Sequence, residues 1–165
     1  MHTVMTLYIR PIQPQDNPHI AQVIREVSAE FGLTADKGYS VADPTLDSLF
    51  EVYDHKKSQY WVLVDAQENV VGGAGIAPLA GKPEVCELQK MYLSPQARNQ
   101  GYAEELLHLC FDKAKVLGFN QCYLESTAEL KAALRLYEKI GFIHLDAPWG
   151  DTGHSDCEVI MVRSL

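Results

Sequence analysis

Residues 86–105 read CELQKMYLSPQARNQGYAEE, and this stretch predicts a strand, a turn and the start of a helix. The strand covers Val85 to Leu93, the turn lies at Ser94-Pro95, and the helix begins near Gly101. A strand that leads through a glycine-containing loop into a helix N-terminus presents backbone N–H groups, and about half a positive charge, to an anion. Because glycine has no Cβ, Gly101 would let a phosphate come close to the backbone. The pattern R-x-x-G-x-A at residues 98–103 therefore predicts a phosphate-binding loop.

The same spacing also fits an ordinary helix start, since glycine is common where a loop meets a helix. Two other phosphate-binding motifs are missing from the sequence. There is no G-x-x-x-x-G-K-[ST], and no G-x-G-x-x-G follows the first strand. Spacing alone therefore leaves both interpretations of residues 98–103 open.

Length and composition predict one soluble globular domain over residues 1–165, with 47% hydrophobic and 22% charged residues. No apolar run reaches the roughly 18 residues of a membrane span, and residues 1–10 lack the layout of a signal peptide, so we expect a cytoplasmic protein. The net charge of −8, without a cluster of Lys or Arg, argues against a nucleic-acid partner and suits a cationic amine. None of the four cysteines forms a C-x-x-C pair, so no metal site is predicted.

The apolar periodicity predicts the element order β-α-α-β-β-β-α-β-α-β-β. Asp43-Pro44 predicts the start of the second helix, and the residues Ser126-Thr127-Ala128-Glu129 fit a capping box that would open the last one. Three glycines between residues 72 and 75 predict a bulge or a close backbone approach within the strand Val70–Ile76. A final strand is expected from Cys157 to Val162. The late β-α-β unit requires a crossover helix, so the fold class is a mixed α/β sheet with a parallel part.

Three motifs follow one another along the chain: Glu87–Leu93 reads ELQKMYL, Arg98–Ala103 has the pattern R-x-x-G-x-A, and Leu136–Phe142 reads LYEKIGF. Together they resemble the GNAT superfamily of acetyl-CoA-dependent N-acetyltransferases, as does the hydrophobicity pattern from about Leu7 to the C-terminus. The resemblance implies a GNAT-like fold, with a mixed sheet of six to seven strands flanked by about four helices. It also implies acetyl-CoA as cosubstrate, an amine-bearing acceptor and, by family habit, a homodimer.

Acetylation of an amine requires a neutral nucleophile, and an amine with a pKa of about 10.4 is neutral in only about one molecule in 10³ at pH 7. Glu87 is the candidate general base, because a carboxylate is unexpected in an apolar strand and burial raises a carboxyl pKa toward the working pH. The competing interpretation is that Glu87 faces outward or only orients the substrate. Tyr137 is the candidate general acid, since the resemblance implies that the tyrosine of LYEKIGF faces the thioester sulfur. Its competing interpretation is core packing.

The resemblance also implies where the cosubstrate binds. The acetyl-pantetheine arm is expected along Met91, Tyr92 and Leu93, with a backbone N–H at or near Met91 polarising the thioester carbonyl. The pyrophosphate is expected on the backbone of a loop in which Arg98 adds charge, formed by Arg98, Asn99, Gln100, Gly101, Tyr102 and Ala103. Many family members carry an Asn seven residues before the tyrosine. Leu130 stands there in this chain, and Thr127 or Glu125 are the candidates to replace that contact.

The acceptor pocket is expected to involve the early helical region and the loop before the last strand. Tyr39, Tyr53 and His154 are its candidate residues, against the alternatives of packing aromatics and a solvated loop histidine. A small-molecule acceptor is expected rather than a protein. Two functions compete with acetyl transfer, namely a non-catalytic acyl-CoA-binding module and an enzyme for a longer acyl-CoA.

Overall fold

Residues 6–37, 39–152 and 158–165 are described in this computed structural model. The strands are β1 Tyr8–Pro11, β2 Gln59–Val64, β3 Val70–Leu79, β4 Lys82–Leu93, β5 Gln121–Ser126, β6 Ile143–His144 and β7 Val159–Ser164. The helices are α1 Asn17–Glu30, α2 Leu49–Tyr53, α3 Tyr102–Val116 and α4 Lys131–Lys139.

The strands form one sheet in the order β1-β2-β3-β4-β5-β7-β6. Neighbouring strands are antiparallel except β4 and β5, which are parallel and are connected through α3. The predicted mixed sheet with about four helices is thus confirmed. No helix in the described ranges combines the length and apolar character that a membrane crossing requires.

The parallel ladder between β4 and β5 has only two residue pairs, in the middle of β4 and near the start of β5. Cys86 pairs with Cys122 and Glu87 with Tyr123, whereas the neighbouring β5–β7 ladder joins six residues of each strand. From Leu88 onward, β4 therefore continues without a ladder partner on β5, although both strands are fully described. The two strands separate at this point, and backbone groups of β4 face the opening.

A bulge distorts β4 in the same region. Gly75 lies opposite Gln89 and Gly73 lies opposite Tyr92, so β4 carries one residue more than β3 between these pairs. Lys90 takes up the extra length with a positive φ of 50°, which is rare for a residue other than glycine. Of the two predicted explanations for the glycines, a bulge is found. The extra residue at these pairs belongs to β4, and β3 carries an extra residue of its own at Val71, between the pairs Leu63–Gly72 and Val64–Val70.

The glycines of β3 make room for a tyrosine. The ring of Tyr60 on β2 lies across β3, and a Cβ added at Gly73 or Gly75 would come within 2.6 or 2.5 Å of ring atoms. The Tyr60 hydroxyl donates to the carbonyl oxygen of Lys90 at 2.7 Å. Because Gly73 and Gly75 have no side chains, the buried Tyr60 side chain of β2 can cross β3 and reach the bulge of β4.

Helices cover both faces of the sheet. On α3, the predicted apolar stripe packs into one core cluster through Leu106, Leu107, Cys110, Phe111 and Ala114. On α1, a second stripe packs with α2 on the opposite face through Ile20, Ala21, Val23, Ile24 and Val27. Burial of each large apolar side chain contributes about 1.5–3 kcal/mol, so packing on the sheet fixes the position of both helices.

Two predicted helix starts are wrong. Ser126 is not an N-cap because it is the last residue of β5, paired with Val159, and α4 begins only at Lys131. The carboxylate of Asp43 accepts hydrogen bonds from the backbone N–H and hydroxyl of Thr45, which closes a local turn. A 3-10 turn follows, and α2 starts later, at Leu49. The last strand starts at Val159, and Cys157 lies outside the described residues.

Candidate active site

A cavity of about 520 Å³ opens where β4 and β5 separate. Its walls come from residues 87–92 of β4, residues 124–127 at the end of β5, and the segment 39–44. Both Glu87 and Tyr137 line it, although they belong to different sequence motifs. The divergence of the two strands thus brings the predicted base and the predicted acid to one cavity.

Glu87 lies in the cavity wall with only 4% of its surface exposed. Gln89 follows two residues later on the same face of β4, and its Nε2 donates to Glu87 Oε1 at 2.6 Å. The hydroxyl of Tyr53 in turn donates to Gln89 Oε1 at 2.7 Å. The side chain of Glu87 therefore faces inward and is held by a hydrogen-bonded chain, while its role as a base stays a prediction.

Tyr137 reaches the cavity from α4. Its ring meets Phe142 edge-on at 5.7 Å between centroids, just after Gly141 has ended the helix with a positive φ. Burial raises the pKa of the Tyr137 phenol above its usual value near 10, so it carries its proton at neutral pH. A general acid must carry a proton to donate, so the protonated hydroxyl fits the role predicted for Tyr137.

The predicted pantetheine segment lies along the open part of β4. Met91 and Tyr92 line the cavity, whereas Leu93 lies beyond the lining residues and is buried. The bulge at Lys90 precedes this segment and turns the backbone of β4 just where its pairing with β5 has stopped.

The predicted phosphate loop precedes α3 and contains two left-handed residues. Asn99 has φ of 61°, and Gly101, the N-cap of α3, has φ of 87°. A Cβ added at Gly101 would meet no atom of the described residues within 4 Å, and none of their side chains caps the helix there. The first N–H groups of a helix have no intrahelical partners, so this uncapped, open turn is suited to an anion.

Two side chains of this loop, those of Arg98 and Tyr102, form hydrogen bonds to other parts of the protein. Arg98 donates to both carboxylate oxygens of Glu30 at 2.7 and 2.8 Å and to the carbonyl oxygen of Leu93 at 3.0 Å. The hydrogen bond from Arg98 lowers the pKa of Glu30, which keeps that carboxylate charged opposite the guanidinium. The hydroxyl of Tyr102 accepts from the backbone N–H of Leu7 at 3.2 Å. The backbone of the loop is therefore what the fold leaves available for the predicted pyrophosphate contact.

The three acceptor candidates lie in different places. Tyr39 lines the cavity. Tyr53 is 4% exposed and lies beneath the lining residues, with its ring 5.1 Å from that of Tyr60. His154 lies outside the described residues. Direct contact of each with an acceptor stays a prediction.

The structure adds an ion pair that sequence reasoning missed. Lys90 Nζ lies 2.7 Å from Asp43 Oδ2, and both residues line the cavity. Burial raises the pKa of Asp43, but hydrogen bonds from Lys90 and Thr45 outweigh this effect, and the net pKa lies below the usual value. No sequence pattern links the two residues, because only the folding of the segment 39–44 over β4 brings them together.

The end of β5 supplies further polar lining, including both residues proposed to replace the family's Asn. The carboxylate of Glu125 accepts from the hydroxyls of Tyr123 and Thr152, each at 2.5 Å. Thr127 is buried, and its hydroxyl lies within hydrogen-bond distance of the carboxylates of Glu129 and Glu158. Leu130 lines the cavity with its apolar side chain in the place of the missing Asn.

Sequence comparison connects the chain with known acetyltransferases. The model of the Acetyltransferase (GNAT) family matches residues 22–142. The uncharacterized N-acetyltransferase YjgM of Escherichia coli strain K12 is 55% identical over 158 residues, which cover 95% of this chain and 94% of YjgM.

Solved structures show the same fold. An acetyltransferase of the GNAT family from Staphylococcus aureus Mu50 superposes with a TM-score of 0.85 at 20% identity, covering 97% of this chain and 99% of the other. The PaiA N-acetyltransferase from Thermoplasma acidophilum, solved in complex with coenzyme A, superposes with a TM-score of 0.71 at 19% identity, covering 98% of this chain and 100% of the other.

Proposed function

Because this chain belongs to the GNAT family of acetyltransferases, we propose that it transfers the acetyl group of acetyl-CoA to a primary amine. Family membership gives the activity class, N-acetyl transfer, and it confirms the resemblance that the three sequence motifs indicated. The observation that carries the finer proposal is that Glu87 and Tyr137 line one cavity at the divergence of β4 and β5.

The open edge of β4 and the α3 N-terminus are proposed to bind acetyl-CoA. Backbone groups of Met91 and Tyr92 would bind the pantetheine arm as a neighbouring strand would, because β5 has left that edge. The uncapped turn at Gly101 would bind the pyrophosphate. The coenzyme A complex of the Thermoplasma relative supports this choice of cosubstrate.

Transfer is proposed to be direct, within a complex of both substrates. Glu87 accepts one proton from the ammonium group and passes it to solvent, and the neutral amine nitrogen then forms a bond to the thioester carbon. The C–S bond breaks as Tyr137 donates a proton to the leaving sulfur, and the second proton lost by the nitrogen replaces the one that Tyr137 has given. A cysteine acyl intermediate is disfavoured, because burial raises the pKa of the Cys110 thiol. A hydrogen bond with Cys86, together with burial, raises the pKa of the Cys122 thiol. Neither thiol is activated as a nucleophile.

The acceptor is proposed to be a small cationic amine. The cavity is lined by the carboxylates of Asp43, Glu87 and Glu125 and by one cation, Lys90, so its described lining carries a net negative charge. A negative cavity attracts a protonated amine and concentrates it near Glu87. A single domain over residues 1–165, a cytoplasmic location and a homodimer complete the proposal, the last on family habit alone.

The cosubstrate site is tested by calorimetric titration with acetyl-CoA of the wild type, Gly101→Glu and Gly118→Glu. Gly118 is the matched control, because it follows the other end of α3, has φ of 92° and, like Gly101, has no atom within 4 Å of an added Cβ. Both variants carry the same backbone strain and the same charge. We expect binding by the wild type and the control and none by Gly101→Glu, whereas equal binding by all three would place the cosubstrate elsewhere.

Turnover is tested by thiol release from acetyl-CoA with a panel of small amines, in the wild type and in Glu87→Gln. Steady release that falls in the variant supports the proposal. Binding without release for any amine would favour the acyl-CoA-binding module, and competition by longer thioesters separates acetyl from longer acyl transfer.

A further inference from the structure

Beneath the proposed base lies a chain of two hydrogen bonds that starts on another element. Tyr53 on α2 donates to Gln89 Oε1 at 2.7 Å, and Gln89 Nε2 donates to Glu87 Oε1 at 2.6 Å. Tyr53 and Glu87 are each 4% exposed, so water does not compete freely for these bonds. The side chain of Gln89 is thus clamped at both ends.

The donor at one end sets the direction of the whole chain. A phenol hydroxyl that donates to the amide oxygen leaves the NH₂ group of Gln89 for Glu87, and an NH₂ group can only donate. Glu87 Oε1 is therefore held as an acceptor, and a donor at this oxygen favours the charged carboxylate over the neutral acid. To accept a proton at that oxygen, Glu87 would have to lose this bond, or the amide would have to rotate and the Tyr53 hydroxyl would have to change from donor to acceptor.

The position of Tyr53 is itself fixed by packing. Its ring lies 5.1 Å from Tyr60, and a Cβ added at Gly75 would come within 3.1 Å of Tyr53 Cε1. The bare surface of β3 therefore admits both tyrosines, and Tyr53 reaches β4 from a short helix on the α1 side of the sheet.

From this geometry we infer that Gln89 and Tyr53 are positioning residues that hold Glu87 as an oriented carboxylate facing the cavity. The inference deepens the proposed function and rests on it where it treats Glu87 as the base. Tyr53 was predicted to contact the acceptor directly, whereas in this inference it acts on Glu87 through Gln89. The bond from Gln89 favours the charged form of Glu87, which is the form that a base requires.

The other ionisable groups around Glu87 do not provide the same control. On β5, Tyr123 interacts electrostatically with Glu87, but burial, and then its hydrogen bond to Glu125, raises the Tyr123 pKa. Burial likewise raises the pKa of Tyr53. Both phenols therefore keep their protons at neutral pH, while Glu125 and the Asp43–Lys90 pair are the other charged groups of the cavity lining.

The test is a titration of the Glu87 carboxyl by ¹³C NMR in protein labelled at the glutamate carboxyl carbon, with the signal assigned from Glu87→Gln. Loss of a hydrogen bond to a charged group disfavours the charged form, so in Gln89→Leu the midpoint should rise by about one pH unit. Tyr53→Phe should shift it in the same direction by less, because the amide remains. Tyr8→Phe on the exposed β1 is the matched control and should leave the midpoint unchanged.

The acid limb of the pH profile of kcat/KM should move with the NMR midpoint in each variant, a coupling that loss of packing alone would not produce. Circular dichroism confirms that each variant is folded. An unchanged Glu87 midpoint in folded Gln89→Leu overturns the inference. If instead Glu87→Gln keeps full turnover, Glu87 is not the base and the proposed function fails at that residue. The NMR midpoints still decide whether Gln89 holds the Glu87 carboxylate.

Discussion

Replacement of Gly73 by alanine tests how the sheet supports the β4 bulge. A Cβ at residue 73 would lie 2.6 Å from Tyr60 Cε1, 2.7 Å from the Tyr60 hydroxyl and 2.8 Å from the carbonyl oxygen of Trp61. The Tyr60 ring is fully buried and cannot swing into solvent. The hydroxyl that would be displaced is the one that donates to the Lys90 carbonyl.

The size of the effect follows from these contacts. Gly73 does not have a positive φ, so alanine introduces no left-handed strain, and the cost comes from overpacking. Overpacking of a well-filled core costs about 1–3 kcal/mol, and we expect about 2 kcal/mol for Gly73→Ala. For a chain of this size, that loss lowers Tm by about 4–8 °C.

The assay is urea unfolding of a double-mutant cycle with Tyr60→Leu. Leucine removes both Tyr60 atoms that the new Cβ would meet, so Gly73→Ala should cost about 1 kcal/mol less in that background, the remainder coming from the Trp61 carbonyl. The KM for acetyl-CoA should rise in Gly73→Ala, because the bulge carbonyl loses its donor. Equal costs in the two backgrounds, or a neutral Gly73→Ala, would refute the argument that Tyr60 fills the space above the glycine.

Two further predictions concern the tyrosine hydroxyls. Tyr137→Phe should lower kcat by about 10²-fold while the Kd for acetyl-CoA stays the same, since only the proton donor is lost; a kcat within about twofold of the wild type would contradict the acid role. Burial raises the pKa of Tyr53, Tyr60 and Tyr137, so above about pH 10 the unfolded chain loses protons that the folded chain keeps. The buried Cys110 and Cys122 thiols, whose pKa values are also raised, act in the same way from a lower pH. The free energy of unfolding should therefore begin to fall above about pH 8, where thiols of the unfolded chain ionise, and fall more steeply above about pH 10, by about 1.4 kcal/mol per pH unit for each buried thiol and phenol. Urea unfolding, with absorbance at the tyrosinate band, checks this, and a free energy that does not change above about pH 10 would count against burial of the three phenols.

Strong local patterns predicted most of the helices and strands correctly. Most of the wrong element boundaries lie where tertiary contacts override a local sequence pattern. The apolar stripe of α3 is such a pattern, because the side that is apolar is the side that packs. The sequence Ser126–Glu129 has the letters of a capping box, yet β7 pairs with Ser126 and extends β5 through it. Strand pairing supplies several backbone hydrogen bonds, while a cap supplies one or two.

The candidate site shows the same division. Glu87 and Tyr137 were predicted from motifs, since an acidic residue in an apolar strand and a tyrosine in LYEKIGF can be recognised in the amino-acid sequence. The roles of Gln89 and Tyr53 were not visible, because a hydrogen bond between residues on separate elements leaves no spacing in the chain. Arg98 was predicted to add charge to the phosphate loop, but its partner Glu30 is supplied by α1, which the loop meets only in the folded protein.

By itself, the sequence determined the mixed α/β fold and the family, and it predicted Glu87 and Tyr137 as the reactive side chains, because these depend on periodicity and on short contiguous motifs. Only the tertiary structure decided that β4 and β5 separate after Glu87, that Tyr60 crosses the glycines to the Lys90 carbonyl, and that Tyr53 and Gln89 hold Glu87. These features depend on which atoms of distant segments come within 3 Å of one another, and packing of the whole sheet and its helices sets those distances.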